Sequence, residues 1–151
     1  MDRAELQRTN ALRGVLLLAI TIAALAHLPP TAEHLEEAPY MGQLFVLFTD
    51  GCLVLGALSI ARPARWVYAA SAALCAAAVA AYAATRVVAF PMLADDVGNW
   101  TETLGLVSVV AETVVVLTAV ALLKRATYAV NRQPVLVRRP RNVNSGGTNH
   151  G

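Results

Sequence analysis

The sequence predicts an all-α, polytopic membrane protein: a bundle of four transmembrane helices with the N- and C-termini in the cytoplasm. Hydrophobic residues make up 57% of the 151 residues and charged residues only 15%, which is far from the balance of a soluble domain. The apolar residues are gathered into four runs of about 18 residues or more, long enough to cross roughly 30 Å of hydrocarbon. Lysine and arginine are concentrated in alternate segments between these runs.

Each apolar run has an end that the sequence marks. After a polar N-terminus over residues 1–10, the predicted helices span residues 11–28, 41–60, 66–90 and 104–123. Pro29-Pro30 are expected to end the first helix, because a proline inside a helix loses a hydrogen bond and clashes with the preceding turn. The basic turn around Pro63 is short, which makes the second and third helices antiparallel neighbours. Residues 124–151 form a basic tail, for which Arg, Pro, Asn, Gly and Ser predict disorder from Arg132.

The basic residues also predict the orientation of the chain. The N-terminal segment holds three arginines, the turn after the second run holds two, and the stretch from Lys124 onward holds six basic residues. Residues 29–40 and 91–103 hold none. Since segments rich in lysine and arginine stay in the cytoplasm, these two connections are expected to lie outside the cell. We therefore expect a multi-pass protein of the plasma (cell) membrane.

The first run is open to a second interpretation. Ala24-Leu25-Ala26 has the A-x-A pattern of a signal-peptide cleavage site, which would place the cut before His27. Against this, the run is long for a signal peptide, and the same residues are typical of a helix that leaves the membrane. If cleavage occurred, His27 would gain a free amine beside its imidazole and become a better copper ligand.

Three ionisable residues fall inside apolar runs, namely Asp50, Arg86 and Glu112. Charges within a bilayer are costly and generally face a partner or a cavity. Counted from the outer ends of the runs at about 1.5 Å per residue, Asp50 lies roughly 13 Å deep, Glu112 roughly 12 Å and Arg86 roughly 6 Å. We expect a buried charge cluster in which Arg86 reaches one or both carboxylates. It would serve either as an ion pair that fixes helix register or in a transport, proton or ligand pathway.

A metal site is a further hypothesis for the outer face. His27 ends the first run, and Thr31 is expected to cap a short helix that sets His34 and Glu37 on one face. Two imidazoles and one carboxylate suit a transition metal such as zinc or copper. The alternative is that both histidines make ordinary hydrogen bonds in an interfacial loop.

Other chemistry has no sequence support. The chain contains no phosphate-binding glycine loop, no GxSxG elbow, no HExxH and no CxxC, so we expect no enzyme activity and no certain cofactor. Cys52 and Cys75 lie within apolar runs and are predicted to be small buried hydrophobes. The basic tail is expected to lie against anionic lipid headgroups, and no nucleic-acid partner is predicted.

A series of short motifs runs along the chain: His27, His34 and Glu37, then Tyr40-Met41-Gly42 and Phe45, Thr85-Arg86 with Pro91, and Glu112. These motifs resemble those of an uncharacterised family of small four-helix membrane proteins from actinobacteria. The resemblance spans residues 12 to 123 and implies the four-helix fold and a membrane location, but no activity. Asp50 departs from the pattern of this family, in which that position is more often uncharged.

Two functions from different classes are expected. The first is a non-enzymatic accessory or interaction subunit, whose partner is another membrane protein or a second copy. Ala72, Ala76, Ala80 and Ala84 favour it, since they fall four residues apart along one helix face and small residues allow helices to pack closely in lipid. The alternative is binding or transport of a metal or small solute at the outer face. A proton-coupled transporter that works as an oligomer ranks third.

Overall fold

The computed structural model describes residues 3–131, with side chains described as far as Thr127. It confirms that this part of the chain is all-helical. Four α-helices follow one another: α1 (Arg3–Glu37), α2 (Pro39–Ala61), α3 (Arg65–Val87) and α4 (Thr103–Asn131). A single turn of 3-10 helix, Ala94–Asp96, interrupts the connection between α3 and α4. The predicted disorder from Arg132 onward lies outside the described residues.

Each of the four α-helices is long and apolar enough to cross a membrane. Even α2 and α3, the shortest, have 23 residues, which at the usual helical rise is about 35 Å. The predicted runs are therefore confirmed as helices, although their ends differ. α1 begins well before residue 11, α3 ends three residues before residue 90, and α4 continues beyond residue 123 to Asn131.

The prediction that Pro29-Pro30 end the first helix is wrong, because α1 continues through both prolines to Glu37. Neither proline can donate a backbone hydrogen bond, but side chains add bonds to carbonyls in the same turns. Thr31 was predicted to cap a separate short helix, but its hydroxyl instead donates to the carbonyl of His27 within α1. His34 Nδ1 lies 2.8 Å from the carbonyl of Pro30.

The bundle is held by three of its helix pairs. α1 packs along both α2 and α4, and α3 packs along α4, whereas the interface between α2 and α3 is smaller than these three. Gly42 allows a close approach at the α1–α2 connection, since a Cβ atom there would lie 2.7 Å from the backbone nitrogen of Leu35. The buried core runs down the middle of the bundle and includes Leu16, Ile20, Phe48, Tyr68, Val115 and Leu122.

The α1–α2 and α3–α4 connections lie at the same end of the bundle, which we call the upper end. The Tyr40 hydroxyl at the start of α2 joins them by donating to the carbonyl of Pro91, at 2.7 Å. The short turn between α2 and α3 lies at the lower end. α2 and α3 contact each other less than the other neighbouring helices do, and residues of both line a cavity near the upper end.

Candidate functional site

A cavity of about 340 Å³ occupies the upper half of the bundle, a volume within the usual range for small-molecule pockets. All four helices line it. Most of the wall is apolar, supplied by leucine and phenylalanine side chains of α2 and by leucine and alanine side chains of α3. The polar groups are fewer and come from α1, α3, the α3–α4 connection and α4: His27, His34, Thr85, Arg86, Asp96, Glu102, Ser108 and Glu112.

The first polar group, formed by His27, Ser108 and Glu112, joins α1 to α4. Ser108 Oγ donates to Glu112 Oε1 at 2.7 Å, and His27 Nε2 lies 3.8 Å from the same oxygen. Glu112 is only 1% exposed. His27 Nδ1 lies 2.9 Å from the carbonyl of Ala23; because a carbonyl can only accept, this nitrogen must carry the hydrogen. In the neutral ring, Nε2 is then a free acceptor.

Aromatic rings cover the two histidines. The His27 ring lies 4.4 Å from that of Phe48, between centroids, and 5.0 Å from that of Phe45. The His34 ring also lies 5.0 Å from Phe45. The two imidazoles therefore lie on one face of α1, against the same side chain of α2. This leaves an aromatic wall beside the carboxylate of Glu112.

The second polar group surrounds Arg86, which is 5% exposed. Its Nη1 lies 2.7 Å from Asp96 Oδ1 and its Nη2 lies 2.6 Å from Glu102 Oε2. The guanidinium carbon sits 4.5 Å from the centre of the Tyr82 ring, a cation–π distance. The backbone N–H of Gly98 donates to the carbonyl of Arg86 at 2.9 Å. Arg86 thus fastens the α3–α4 connection over the upper end of the cavity.

The predicted cluster of Asp50, Arg86 and Glu112 is not formed. Arg86 belongs to the last turn of α3 and pairs with Asp96 and Glu102 instead. Asp50 is exposed on α2 and does not line the cavity. Counting residues gives the height of a side chain in a helix but not the direction in which it points, and the direction decides these contacts.

The predicted ligands His27, His34 and Glu37 are not brought together as a metal-binding group, and residues 3–131 contain no set of three or more such side chains suitably placed. Because α1 continues past the prolines, the two histidines stand two turns apart, about 10 Å along the axis. A shared zinc or copper ion needs nitrogen atoms at roughly 2 Å. Glu37 is exposed and does not line the cavity.

Four residues of the cavity were not singled out from the sequence as site residues: Tyr82, Asp96, Glu102 and Ser108. Ser108 lies four residues before Glu112, a spacing that places both on one helix face, so this contact had a detectable signal. The two acidic residues belong to a connection whose path the sequence does not specify. Cys52 and Cys75 are free and buried, as predicted.

The charged groups of the cavity are predominantly acidic. Three carboxylates, those of Asp96, Glu102 and Glu112, face one guanidinium, that of Arg86. Since Arg86 is paired with the first two, Glu112 is the carboxylate left without an arginine or lysine partner within the described residues. An apolar chamber with aromatic walls and one such carboxylate can bind a small molecule that carries a positive charge. No family model, curated protein or solved structure matches the chain, so the resemblance to the actinobacterial family stays a prediction.

Proposed function

We propose that the chain is a non-enzymatic, multi-pass protein of the plasma membrane, with four membrane-crossing helices and both ends in the cytoplasm. The length and apolar character of the helices support this placement. The basic residues also support it, since the flanks of the lower end carry arginines and one lysine while residues 29–40 and 91–103 carry none. The upper end then faces outward. Alkaline extraction of native membranes tests the placement: the chain should remain with the lipid, and its release would contradict it.

Within this framework the protein binds a small organic cation or amine with an apolar body. The observation that carries the proposal is Glu112, a carboxylate that is 1% exposed and lines a mainly apolar cavity. A carboxylate in such surroundings gains most from a ligand that brings its own positive charge. Ser108 fixes the carboxylate by donating to it.

The remaining walls fit the same ligand. Phe45 and Phe48 offer aromatic faces to a cation, while the leucine and alanine side chains of α2 and α3 bury its apolar part. Leu44 and Leu47 of α2 line the cavity and are also exposed on the outside of the bundle, so we expect an amphipathic molecule to enter from the bilayer beside them. A cavity of about 340 Å³ suits a ligand with one aromatic ring and a small ammonium group.

Two matched probes test the charge requirement. Benzyltrimethylammonium and neopentylbenzene have nearly the same shape, but only the first is charged. Calorimetry on the full chain in lipid nanodiscs should show at least tenfold tighter binding of the charged probe. Glu112→Gln should abolish this preference, whereas Asp50→Asn removes a carboxylate outside the cavity and should leave it unchanged. Equal binding of both probes to the unmodified chain would contradict the proposal.

A second candidate function is that of an accessory subunit that associates with another membrane protein. A specific feature of α3 favours it: Ala69, Ala73, Ala76 and Ala80 are exposed along one face, and small residues permit close helix packing in lipid. Of the alanines expected to form this face, Ala72 and Ala84 are half-buried instead. The test is purification from native membranes. A stoichiometric partner that is lost with Ala76→Phe but retained with Ala72→Ser would support this function, and a chain that elutes alone would count against it.

A further inference from the structure

Asp50 is an unexplained charge in the fold. It lies eleven residues after Pro39 and eleven before Ala61, at the middle of α2. Its side chain is exposed and makes no hydrogen bond or ion pair within residues 3–131. Neither the cavity nor the core uses it.

The surface around Asp50 is a strip of mainly apolar residues. Residues on the same face of α2 are exposed from the upper to the lower end, and all but Gln43 are apolar: Gln43, Val46, Leu47, Leu53, Val54, Ala57 and Ile60. Leu47 also lines the cavity. The opposite face carries Phe48, Cys52 and Ser59, which are buried in the bundle. Asp50 therefore stands at the centre of a strip that faces outward, where lipid tails would surround it in an isolated chain. A carboxylate in that position is costly unless a partner compensates it.

We infer that this strip, which we call the Asp50 face, docks a transmembrane helix of a different membrane protein that carries a lysine or arginine at the same depth. Charge complementarity identifies the occupant, because a cationic side chain would neutralise Asp50 in the hydrocarbon region. The apolar residues on either side supply the packing surface for the helix. The inference rests on the proposed membrane placement and is independent of the proposed cavity ligand.

A second copy of this chain does not supply the matching charge. Of the basic residues between positions 3 and 131, all but one lie towards the lower end of the bundle: Arg3, Arg8, Arg13, Arg62, Arg65, Lys124 and Arg125. The exception, Arg86, is buried near the upper end and already holds two carboxylates. Two copies paired through this face would bring two Asp50 side chains together, which is repulsive unless they share a proton.

The test uses a polyleucine transmembrane peptide with one central lysine as the partner. The full chain and the peptide, carrying a donor and an acceptor dye, are mixed in phosphatidylcholine vesicles, and energy transfer measures their association. We expect about tenfold stronger association for the lysine peptide than for an all-leucine peptide. Asp50→Leu should reduce binding of the lysine peptide to the all-leucine level. A lysine moved two turns towards either end of the peptide should also weaken binding.

Equal association of the lysine peptide with the unmodified chain and with Asp50→Leu would overturn the inference. Binding of a second copy of this chain to the Asp50 face would also overturn the inference. Rapid disulfide cross-linking between two Val54→Cys chains in the absence of peptide would reveal such pairing. Because Asp50 is exposed, its variants should fold normally, and matching circular dichroism checks this. Release of the chain from the vesicles at alkaline pH would instead contradict the membrane placement. The Asp50 variants should bind benzyltrimethylammonium as the unmodified chain does.

Discussion

Replacing Arg86 by methionine should lower the free energy of unfolding by loosening the upper end of the bundle. The substitution keeps an unbranched apolar stem but removes an ion pair with Asp96 at 2.7 Å and a charge-assisted hydrogen bond to Glu102 at 2.6 Å. Each such charged contact contributes about 1.5–3 kcal/mol. The lower value applies here, because the two carboxylates are 27% and 39% exposed and water screens them. The expected loss in the free energy of unfolding is therefore about 3 kcal/mol.

Urea unfolding in detergent micelles, followed by far-ultraviolet circular dichroism, measures this loss. Arg65→Met is the matched control, since Arg65 is exposed at the start of α3 and should lose less than about 0.5 kcal/mol. The double variant Arg86→Met with Glu102→Gln should be less damaging than the sum of the single changes, by about 1–2 kcal/mol. If Arg86→Met were as stable as Arg65→Met, or if the double variant were strictly additive, Arg86 would not be the anchor of the α3–α4 connection.

Four further substitutions probe other contacts. Gly42→Ala should lower the free energy of unfolding by about 2–3 kcal/mol, because its new Cβ would meet the backbone of Leu35. A Cβ atom at Gly14 would have no atom within 4 Å, so Gly14→Ala should raise the free energy of unfolding by up to about 1 kcal/mol through helix propensity. The same urea titration measures both glycine variants, and a Gly42→Ala chain more stable than the Gly14→Ala chain would contradict this prediction. Ser108→Ala removes the donor to Glu112 and should weaken binding of benzyltrimethylammonium by about three- to tenfold in calorimetry, whereas unchanged affinity would separate Ser108 from the site. Pro30→Ala gives α1 back a backbone donor and should raise stability by about 1–3 kcal/mol, and a fall in the urea midpoint would argue against a continuous α1.

Much of the helical fold was predictable from the four apolar runs. Each run is long enough to cross a bilayer, and a helix satisfies the backbone hydrogen bonds of such a segment from within. The burial of Cys52 and Cys75 followed from the same runs. The end of α1 was not predictable from its sequence, since the rule that prolines stop helices holds on average, and here side-chain hydrogen bonds from Thr31 and His34 accompany continuation.

The candidate site was only partly predictable, for a geometric reason. The sequence indicated that His27, His34, Arg86 and Glu112 matter at the upper end, and the structure places all four around one cavity. Their partners depend on how each helix is rotated about its axis, which residue counting does not give. Asp50 is slightly deeper than Glu112 by that count and yet faces away from the bundle.

Cysteine protection is the most direct measure of whether a small cation occupies this cavity. Ala81 lines the cavity, and Ala94 lies outside it in the α3–α4 connection. Each is replaced by cysteine, and the rate of alkylation by N-ethylmaleimide is measured in nanodiscs with and without benzyltrimethylammonium. The probe should slow the reaction of Ala81→Cys several-fold and leave that of Ala94→Cys unchanged. Unchanged rates at both positions, or equal slowing at both, would mean that the cation does not bind among the four helices.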